Sequence, residues 1–220
     1  MLELARAVGI SVPPTRLVPI ENIKGLPADM GPLTGNALAV ERFDRRPGGR
    51  RVHMEDFAQV FGMFPDLKYE KRSYANIAGV LWAETGEEGT YEFVRRLVFS
   101  VLIGNGDMHL KNWSLLYLDS RTPVLSPAYD FVSTLPYLPN DQLALSFGDS
   151  KRLDGITRDQ VRRLAEKAGL AVTPLSEIVA ETVDRTREVW RGLPERDLLP
   201  HDLRKTIDAH LERTATSIEG

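Results

Sequence analysis

The sequence contains no cysteine. That absence excludes disulfide bonds, thiolate zinc sites and cysteine nucleophiles, and it suits a reducing cytoplasm, where we expect the protein to be found. A long apolar run is also missing, because the longest one, Leu97–Ile103, is far shorter than the roughly 20 residues of a membrane-spanning helix. The first residues do not combine a basic segment with an apolar one, so we expect no signal peptide and no membrane partner.

An excess of one charge is lacking as well. The chain has 28 lysine and arginine residues against 31 aspartate and glutamate residues, which gives a net charge of −3. This balance does not favour a nucleic acid or a membrane surface as a partner, and we expect direct nucleic-acid contact to be weak or absent. A local exception is a group of arginines around Pro47–Gly49: Arg42, Arg45, Arg46, Arg50 and Arg51. A solvated hairpin explains this group most simply, and contact with an acidic partner or a nucleic-acid backbone is the alternative.

Helical periodicity dominates what is present. It is clearest from Tyr91 to Ile103, where apolar residues share one face and Glu92, Arg95 and Arg96 take the other: Phe93, Val94, Leu97, Val98, Val101 and Leu102. The capping-box pattern at Thr157–Gln160 predicts the start of a second helix. Two further helices are predicted around Leu175–Trp190 and Asp202–Arg213. Beyond His53 the pattern is also helical, with Phe57, Val60 and Phe61 on one face, and it breaks at Pro65.

Short strands accompany these helices. Thr15–Ile20 and Ala37–Phe43 are predicted strands, and the segment Arg45–Arg51 after them has the character of a hairpin turn. Trp113–Leu118 alternates polar and apolar residues and returns through a turn to Val124–Leu125. With 42% hydrophobic residues for one sizeable core, we predict a single domain over residues 1–220 with an α+β fold, mainly helical with small β-hairpins.

The most informative segment is Ile103–Asn112, which reads IGNGDMHLKN and directly follows the clearest helix. Phosphoryl transfer requires a carboxylate that orients and deprotonates the attacking hydroxyl, with an amide oxygen and a second carboxylate that hold magnesium against the triphosphate. Asp107, Asn112 and Asp130 supply this set. Asp107 precedes Asn112 by five positions, the spacing of a protein-kinase catalytic loop.

The strand pair between Asn112 and Asp130 makes the set plausible in space, because a hairpin returns Asp130 close to the point where Asn112 left the loop. Each residue also suits an ordinary structural role. Asp107 could be a loop residue after a helix, Asn112 a turn amide and Asp130 the N-cap of a following segment.

These motifs resemble those of the HipA-like toxin kinases, which are bacterial serine/threonine kinases with a protein-kinase-like fold. The resemblance rests on four groups of residues: Leu38–Arg45; His53–Phe57 with Lys68–Glu70; Ile103–Asn112 with Ser114–Tyr117; and Leu125–Pro127 with Tyr129–Phe131. The resemblance implies ATP and Mg²⁺ as cofactors, Asp107 as the catalytic base, and Asn112 and Asp130 as magnesium ligands. It also implies that Glu41, Arg42 and Phe43 form the hinge whose backbone reaches the adenine. A plain edge strand is the alternative for the hinge.

Two further loop residues are candidates for phosphate contacts. Lys111 could neutralise charge on the phosphoryl oxygens, and His109 could bond a phosphate. Bracing of the loop is the alternative for both residues.

The sequence departs from the family pattern before this point. A kinase also needs a glycine-rich loop over the phosphates and a strand lysine paired with a helix glutamate, and the sequence shows neither feature. Glu3 could be a remnant of that glutamate's helix, although a solvated surface role suits it better. We therefore predict an incomplete N-lobe, with residues 1–44 as its remnant and hinge and residues 45–220 as a helical C-lobe.

The resemblance implies a Mg-ATP-dependent serine/threonine kinase of the HipA toxin type, complete only if another polypeptide or reading frame supplies the missing lobe. It also implies an aminoacyl-tRNA synthetase as protein substrate, growth arrest as the outcome, and a helix-turn-helix antitoxin as partner. Two alternatives stay open. Gly106–His109 also resembles the loop of antibiotic-modifying phosphotransferases, which act on small molecules, and a catalytically silent remnant that binds an antitoxin would explain the absent phosphate loop.

Overall fold

The structure is a computed structural model that describes residues 1–64, 66, 68–69 and 72–220. Two sequence predictions lie outside these residues: the helix break at Pro65, and Glu70 as part of the Lys68–Glu70 motif.

The elements are mostly helices, joined by short strands. The helices are α1 Leu2–Val8, α2 Phe57–Val60, α3 Tyr74–Leu102, α4 Arg158–Ala168, α5 Val172–Gly192 and α6 His201–Glu219. The strands are β1 Thr15–Pro19, β2 Asn36–Val40, β3 His53–Asp56, β4 Ser114–Tyr117, β5 Pro123–Leu125, β6 Gln142–Phe147 and β7 Ser150–Arg152. This mainly helical body with small antiparallel sheets is the predicted α+β architecture.

The strands form small antiparallel sheets, in which β1 pairs with β2, β4 lies between β3 and β5, and β6 pairs with β7. The predicted return of the chain after Asn112 is confirmed, since Leu115 lies opposite Leu125. The structure corrects the sequence interpretation at His53–Asp56, where the helical pattern was predicted to begin. These residues form β3 and pair with β4, and the helix starts only at Phe57, because Asp56 caps it by accepting from the Gln59 N–H at 2.9 Å.

Helix α3 runs through the core and packs against α4, α5, α6 and β5. The six apolar residues predicted to share a face are all fully buried. The helix begins at Tyr74, well before the predicted start at Tyr91, because Gly86 with φ 66° and ψ −154° kinks it and interrupts its periodicity.

Arg96, which the sequence pattern places on the side of the helix opposite the apolar residues, does not face solvent. Its side chain is buried and donates to Glu92 at 2.8 Å and to the carbonyl of Ser126 at 2.6 Å. The second bond fixes the chain just before Tyr129–Phe131 against α3, so Arg96 helps to place the segment that carries Asp130.

The arginine group lies on a turn, as predicted. Arg45 and Arg51 face each other across Pro47–Gly49, and Arg42 and Arg45 both pair with the buried carboxylate of Asp44. This pairing favours the interpretation as a solvated hairpin. Among the residues that the structure describes, no helix combines the length and the apolar character needed to cross a bilayer.

Candidate active site

The candidate loop starts where α3 ends. Gly104 has φ 70°, a left-handed conformation that reverses the chain and that glycine adopts without strain. A Cβ there would lie only 3.0 Å from the Cβ of Leu135. Position 104 therefore requires glycine both for its backbone angle and for the close approach of the segment after Asp130.

Asp107 lies on this loop with its side chain exposed. Its backbone N–H donates to Asn105 Oδ1 at 3.1 Å, which tightens the turn before it. Asp107 also lines an open cleft of about 490 Å³ together with Tyr69, Leu138, Lys151 and others. A carboxylate at the wall of an open cleft can accept a proton from a hydroxyl that enters it.

Asn112 and Asp130 are in direct contact. Asn112 Nδ2 donates to Asp130 Oδ2 at 2.6 Å, while Asn112 Oδ1 accepts from the backbone N–H of His109 at 3.2 Å. An amide oxygen has two acceptor sites, so Oδ1 keeps one for a further ligand. The two predicted magnesium ligands are thus neighbours, although they are 18 positions apart in the chain.

The backbone at Asp130 is unusual for a residue that is not glycine. Its φ is 61°, in the left-handed region that aspartate tolerates better than most residues. Phe131 follows it into the core and packs on Phe99 with ring centroids 5.0 Å apart. The buried ring anchors the turn, and the turn directs the carboxylate towards Asn112.

Tyr129 ties the two halves of the site together. Its hydroxyl donates to the carbonyl of Lys111 at 2.8 Å and lies 2.6 Å from Ser114 Oγ. Burial raises the pKa of the Tyr129 phenol to about 12, so it stays a hydrogen-bond donor. Tyr129, which precedes Asp130, therefore fixes the backbone of Lys111, which precedes Asn112.

His109 is buried beside the two carboxylates. Its Nε2 lies 2.8 Å from Lys68 Nζ, so the ring is neutral, with Nε2 as the acceptor and the proton on Nδ1. Burial lowers the pKa of His109, and the negative charges of Asp107 and Asp130 oppose that shift in part. This geometry favours the bracing role over a phosphate contact.

Lys111 also has a protein partner, since its ammonium lies 3.5 Å from Asp56 Oδ2 at the start of α2. Its side chain is 40% exposed and remains within reach of solvent. This pair spans the loop and the β3 edge, and it likewise favours bracing for Lys111.

The three predicted hinge residues make different contacts, and only one of them contacts the site. Phe43 belongs to the site, because its ring lies 5.7 Å from that of Tyr129. Arg42 turns away to form a two-pronged pair with Asp44 at 2.9 and 2.7 Å. The N–H of Glu41 donates to the carbonyl of Pro14 at 2.9 Å, so that group is already used by the protein. If these residues form a hinge, the adenine edge would hydrogen-bond the backbone groups that follow the Glu41 N–H.

Three polar residues at the cleft had no role in the sequence analysis. Tyr69 donates to Asp107 Oδ1 at 2.8 Å, and Thr134 accepts from the Gly106 N–H at 2.9 Å while bonding to Asp141. Tyr69 belongs to a motif that carried the resemblance, which was a usable signal. Thr134 and Asp141 stand in no recognisable pattern.

Comparison with known proteins assigns the family. Residues 1–190 match the family model described as HipA-like C-terminal domain. The chain is 49% identical over 211 residues to the Sinorhizobium fredii protein named "Putative kinase Y4dM", covering 96% of this chain and 51% of that protein. It is 30% identical over 186 residues to the Shewanella oneidensis serine/threonine-protein kinase toxin HipA, covering 73% of this chain and 43% of that protein.

The fold agrees with this assignment. The solved structure of Shewanella oneidensis HipA, in a complex with HipB and its operator DNA, matches with a TM-score of 0.72 at 24% identity, covering 97% of this chain and 52% of that one. This match confirms the predicted kinase-like, HipA-type fold. The chain spans about half the length of the curated relatives that it matches. On its sequence and its fold, the chain belongs to the HipA-like C-terminal domain family.

Proposed function

We propose that this chain is the helical lobe of a Mg-ATP-dependent serine/threonine protein kinase of the HipA toxin type. The observation that carries the proposal is the contact of Asn112 with Asp130 at 2.6 Å, on a loop whose Asp107 faces an open cleft. In this proposal Asp107 orients the acceptor hydroxyl and takes its proton, and Asn112 and Asp130 hold the metal.

The residues present suit magnesium. Mg²⁺ in phosphoryl-transfer sites is held by one or two carboxylates together with phosphate oxygens and water, rather than by a cage of protein ligands. Asn112 and Asp130 are in contact through Asn112 Nδ2, and each side chain carries a hard oxygen donor, which suits that mode. When bound, the metal would neutralise charge on the phosphates.

The remaining residues hold this arrangement in place. Tyr129 fixes Lys111 and Ser114 on either side of Asn112, and Arg96 fixes Ser126 before the Asp130 turn. Most of the rate in this reaction class comes from positioning and electrostatics, so rigid support of the three groups is what the lobe contributes.

We further propose that the part of the relatives that this chain does not match supplies the phosphate loop and the strand lysine. Residues 1–44 would then be the edge of a larger N-lobe and residues 45–220 its partner lobe. An exposed apolar face on the β1–β2 sheet supports this: Leu17 and Leu38 face each other across the strands and are 66% and 57% exposed. A two-stranded sheet with an open apolar face is marginal alone and is usually covered.

The partners are proposals of the same kind. The solved complex of the Shewanella relative with HipB supports an antitoxin partner for this chain, which we propose to be a helix-turn-helix protein. A protein substrate such as an aminoacyl-tRNA synthetase and a cytoplasmic location follow from the toxin-kinase assignment.

A phosphate-transfer assay tests the function. The chain would be assayed with Mg-ATP, alone and with the unmatched part of Y4dM added or fused. We expect Asp107→Asn to lower transfer by about 10²- to 10⁴-fold. The control is Asp202→Asn, at a carboxylate that is 97% exposed and does not line the cleft. Transfer that is equal in Asp107→Asn and the wild type would refute the assignment of the base.

A thermal-shift experiment tests the metal ligands separately. Saturating Mg-ATP at 100 times its Kd should stabilise the wild type by about 2.7 kcal/mol. Asp130→Asn should remove the magnesium-dependent part of that shift, while Asp107→Asn keeps it. No shift at millimolar Mg-ATP would favour the silent remnant that binds an antitoxin.

A second candidate is small-molecule phosphotransfer, which the Gly106–His109 segment favours because it also fits the loop of antibiotic-modifying enzymes. Comparing transfer to protein and to aminoglycoside acceptors separates the two. Faster transfer to the aminoglycoside would replace the protein-kinase proposal.

A further inference from the structure

A hydroxyl and a carboxylate on the segment after Asp130 hold the loop residue that precedes Asp107. The Gly106 N–H donates to Thr134 Oγ1 at 2.9 Å, and the Thr134 hydroxyl in turn lies against Asp141 Oδ2 in a short contact. The Thr134 hydroxyl also lies 3.2 Å from the carbonyl of Gly104. A hydroxyl has one proton, and the charged Asp141 is a stronger acceptor than that carbonyl, so Thr134 donates to Asp141 and accepts from Gly106.

The backbone strengthens the same connection. The N–H groups of Thr134 and Leu135 both donate to the carbonyl of Gly104, at 2.9 and 3.1 Å. The N–H of Ala144 donates to the carbonyl of Gly106 at 2.8 Å. The segment that follows Asp130 thus holds the loop on both sides of Asn105.

The packing at Gly106 leaves no room for a side chain. A Cβ at this position would lie 2.6 Å from the carbonyl of Gln142 and would overlap the carboxylate of Asp141. Glycine is required here because Asp141 approaches the backbone so closely, and this is the approach that lets its carboxylate meet Thr134.

Asp141 is itself held in a fixed orientation. Its other oxygen, Oδ1, accepts from the N–H of Gln142 at 2.9 Å, and its own N–H donates to the carbonyl of Leu138 at 2.9 Å. Thr134 and Asp141 both line the cleft that contains Asp107. The pair therefore lies next to the proposed acceptor site rather than in the core.

We propose that Thr134 and Asp141 are positioning residues that fix the amide of Gly106 and thereby the direction of the Asp107 carboxylate. Because they belong to the segment that begins at Asp130, they also join the metal-ligand turn and the base loop into one unit. This inference rests on the proposed function for its effect on transfer, but the bond to Gly106 can be measured without it.

The test compares Thr134→Val, which keeps the shape and removes the hydroxyl, with Thr134→Ser, which keeps the hydroxyl. The experiments use the full chain, together with the completing polypeptide for activity. We expect Thr134→Val to lower kcat about tenfold with the KM for Mg-ATP unchanged, and Thr134→Ser to restore most of it. Thr216→Val is the control, because Thr216 is exposed and bonds a carbonyl of its own helix at 2.9 Å.

The readout independent of activity is hydrogen exchange of the Gly106 amide by NMR. Exchange should be at least tenfold faster in Thr134→Val than in the wild type and near wild type in Thr134→Ser. Asp141→Asn serves as the second variant if Thr134→Val does not fold, and it should also accelerate exchange at Gly106.

The outcomes separate the two proposals. A wild type without transfer, in which Gly106 exchange still depends on the Thr134 hydroxyl, would overturn the proposed function and keep the positioning role. Unchanged exchange at Gly106 in Thr134→Val would overturn the positioning role. An equal loss of kcat and of Mg-ATP affinity in Thr134→Val would also count against it.

Discussion

Tyr69 bonds one oxygen of Asp107, the carboxylate that we propose as the catalytic base. Its hydroxyl donates to Asp107 Oδ1 at 2.8 Å, and burial with this bond raises the pKa of the phenol, so Tyr69 remains a donor. In the proposed function, a substrate hydroxyl that approaches the same oxygen would compete with Tyr69. Since such a bond contributes about 0.5–1.5 kcal/mol net, we expect Tyr69→Phe to raise kcat/KM for a protein acceptor by roughly 2- to 13-fold.

The control for this variant is Tyr137→Phe, because Tyr137 is 68% exposed and does not line the cleft. The measurement is the initial rate of transfer at limiting acceptor. A Tyr69→Phe rate at or below that of the wild type would show that Tyr69 supports Asp107 instead of competing for it.

At the level of single residues, spacing could predict only part of the site. Asp107 and Asn112 are close in sequence, and the hairpin explains how Asp130 returns to Asn112. The bonds of Tyr69 and Thr134 to the loop cross 38 and 28 positions. Contacts at such separations depend on how whole segments pack, so no local pattern indicates which loop atoms Tyr69 and Thr134 bond.

Among the elements, α3 contains three glycines, two of which, Gly79 and Gly86, lie in opposite circumstances. Gly86 has φ 66° and ψ −154°, a conformation open almost only to glycine, whereas a Cβ at Gly79 would make an ordinary contact at 3.7 Å. We expect Gly86→Ala to destabilise the fold by about 1–3 kcal/mol. Gly79→Ala should instead stabilise it by about 0.4–1 kcal/mol, through a smaller loss of chain entropy.

Chemical denaturation of the two variants measures this difference directly, and each serves as the control for the other. Equal effects would mean that α3 runs through position 86 without a kink. The kink also explains why periodicity predicted only the second half of this helix.

Helix α6 contributes a buried histidine beneath the loop. His210 Nε2 lies 2.7 Å from the carbonyl of Val101, near the end of α3, and burial lowers the pKa of His210. The unfolded chain, with an ordinary pKa of about 6.5, then binds the proton more readily than the folded chain does. The contribution of neutral His210 to the free energy of unfolding is therefore fully present above about pH 6.5. It is lost as the pH drops from there towards the folded pKa.

We expect the Tm of the wild type to fall between pH 7.5 and pH 5.5, and to fall less in His210→Gln. The Tm of His210→Gln should still fall to some extent with pH, since the pKa of His109 is lowered as well. His201→Gln is the control, because it removes a histidine of the same helix whose side chain is 74% exposed. Identical slopes in His210→Gln and the wild type would contradict the assignment.

For the molecule as a whole, the exposed apolar face of the β1–β2 sheet is the surface that we propose the unmatched part of the relatives covers. Burying a leucine side chain contributes about 1.5–3 kcal/mol, so replacing Leu17 and Leu38 by aspartate should weaken binding of the unmatched part of Y4dM by at least tenfold. Calorimetry with that polypeptide measures the effect. Leu198→Asp is the control, at a leucine that is 79% exposed and lies outside this sheet. Unchanged affinity in the double variant would remove this face from the proposed interface.

The sequence by itself determined the family, the mainly helical composition and the three polar groups of the proposed site, because helical periodicity and motif spacing are local properties of the chain. It did not determine where α3 begins, that Arg96 is buried, or which residues hold Gly106 and Asp107. Those features depend on the tertiary structure, because the free energy of burying a charge or bonding an amide is set by neighbours that are distant in sequence. Asn112 and Asp130 illustrate the difference. The local sequence pattern indicates them as candidate metal ligands, whereas the packing of Arg96, Tyr129 and Phe131 places them in contact.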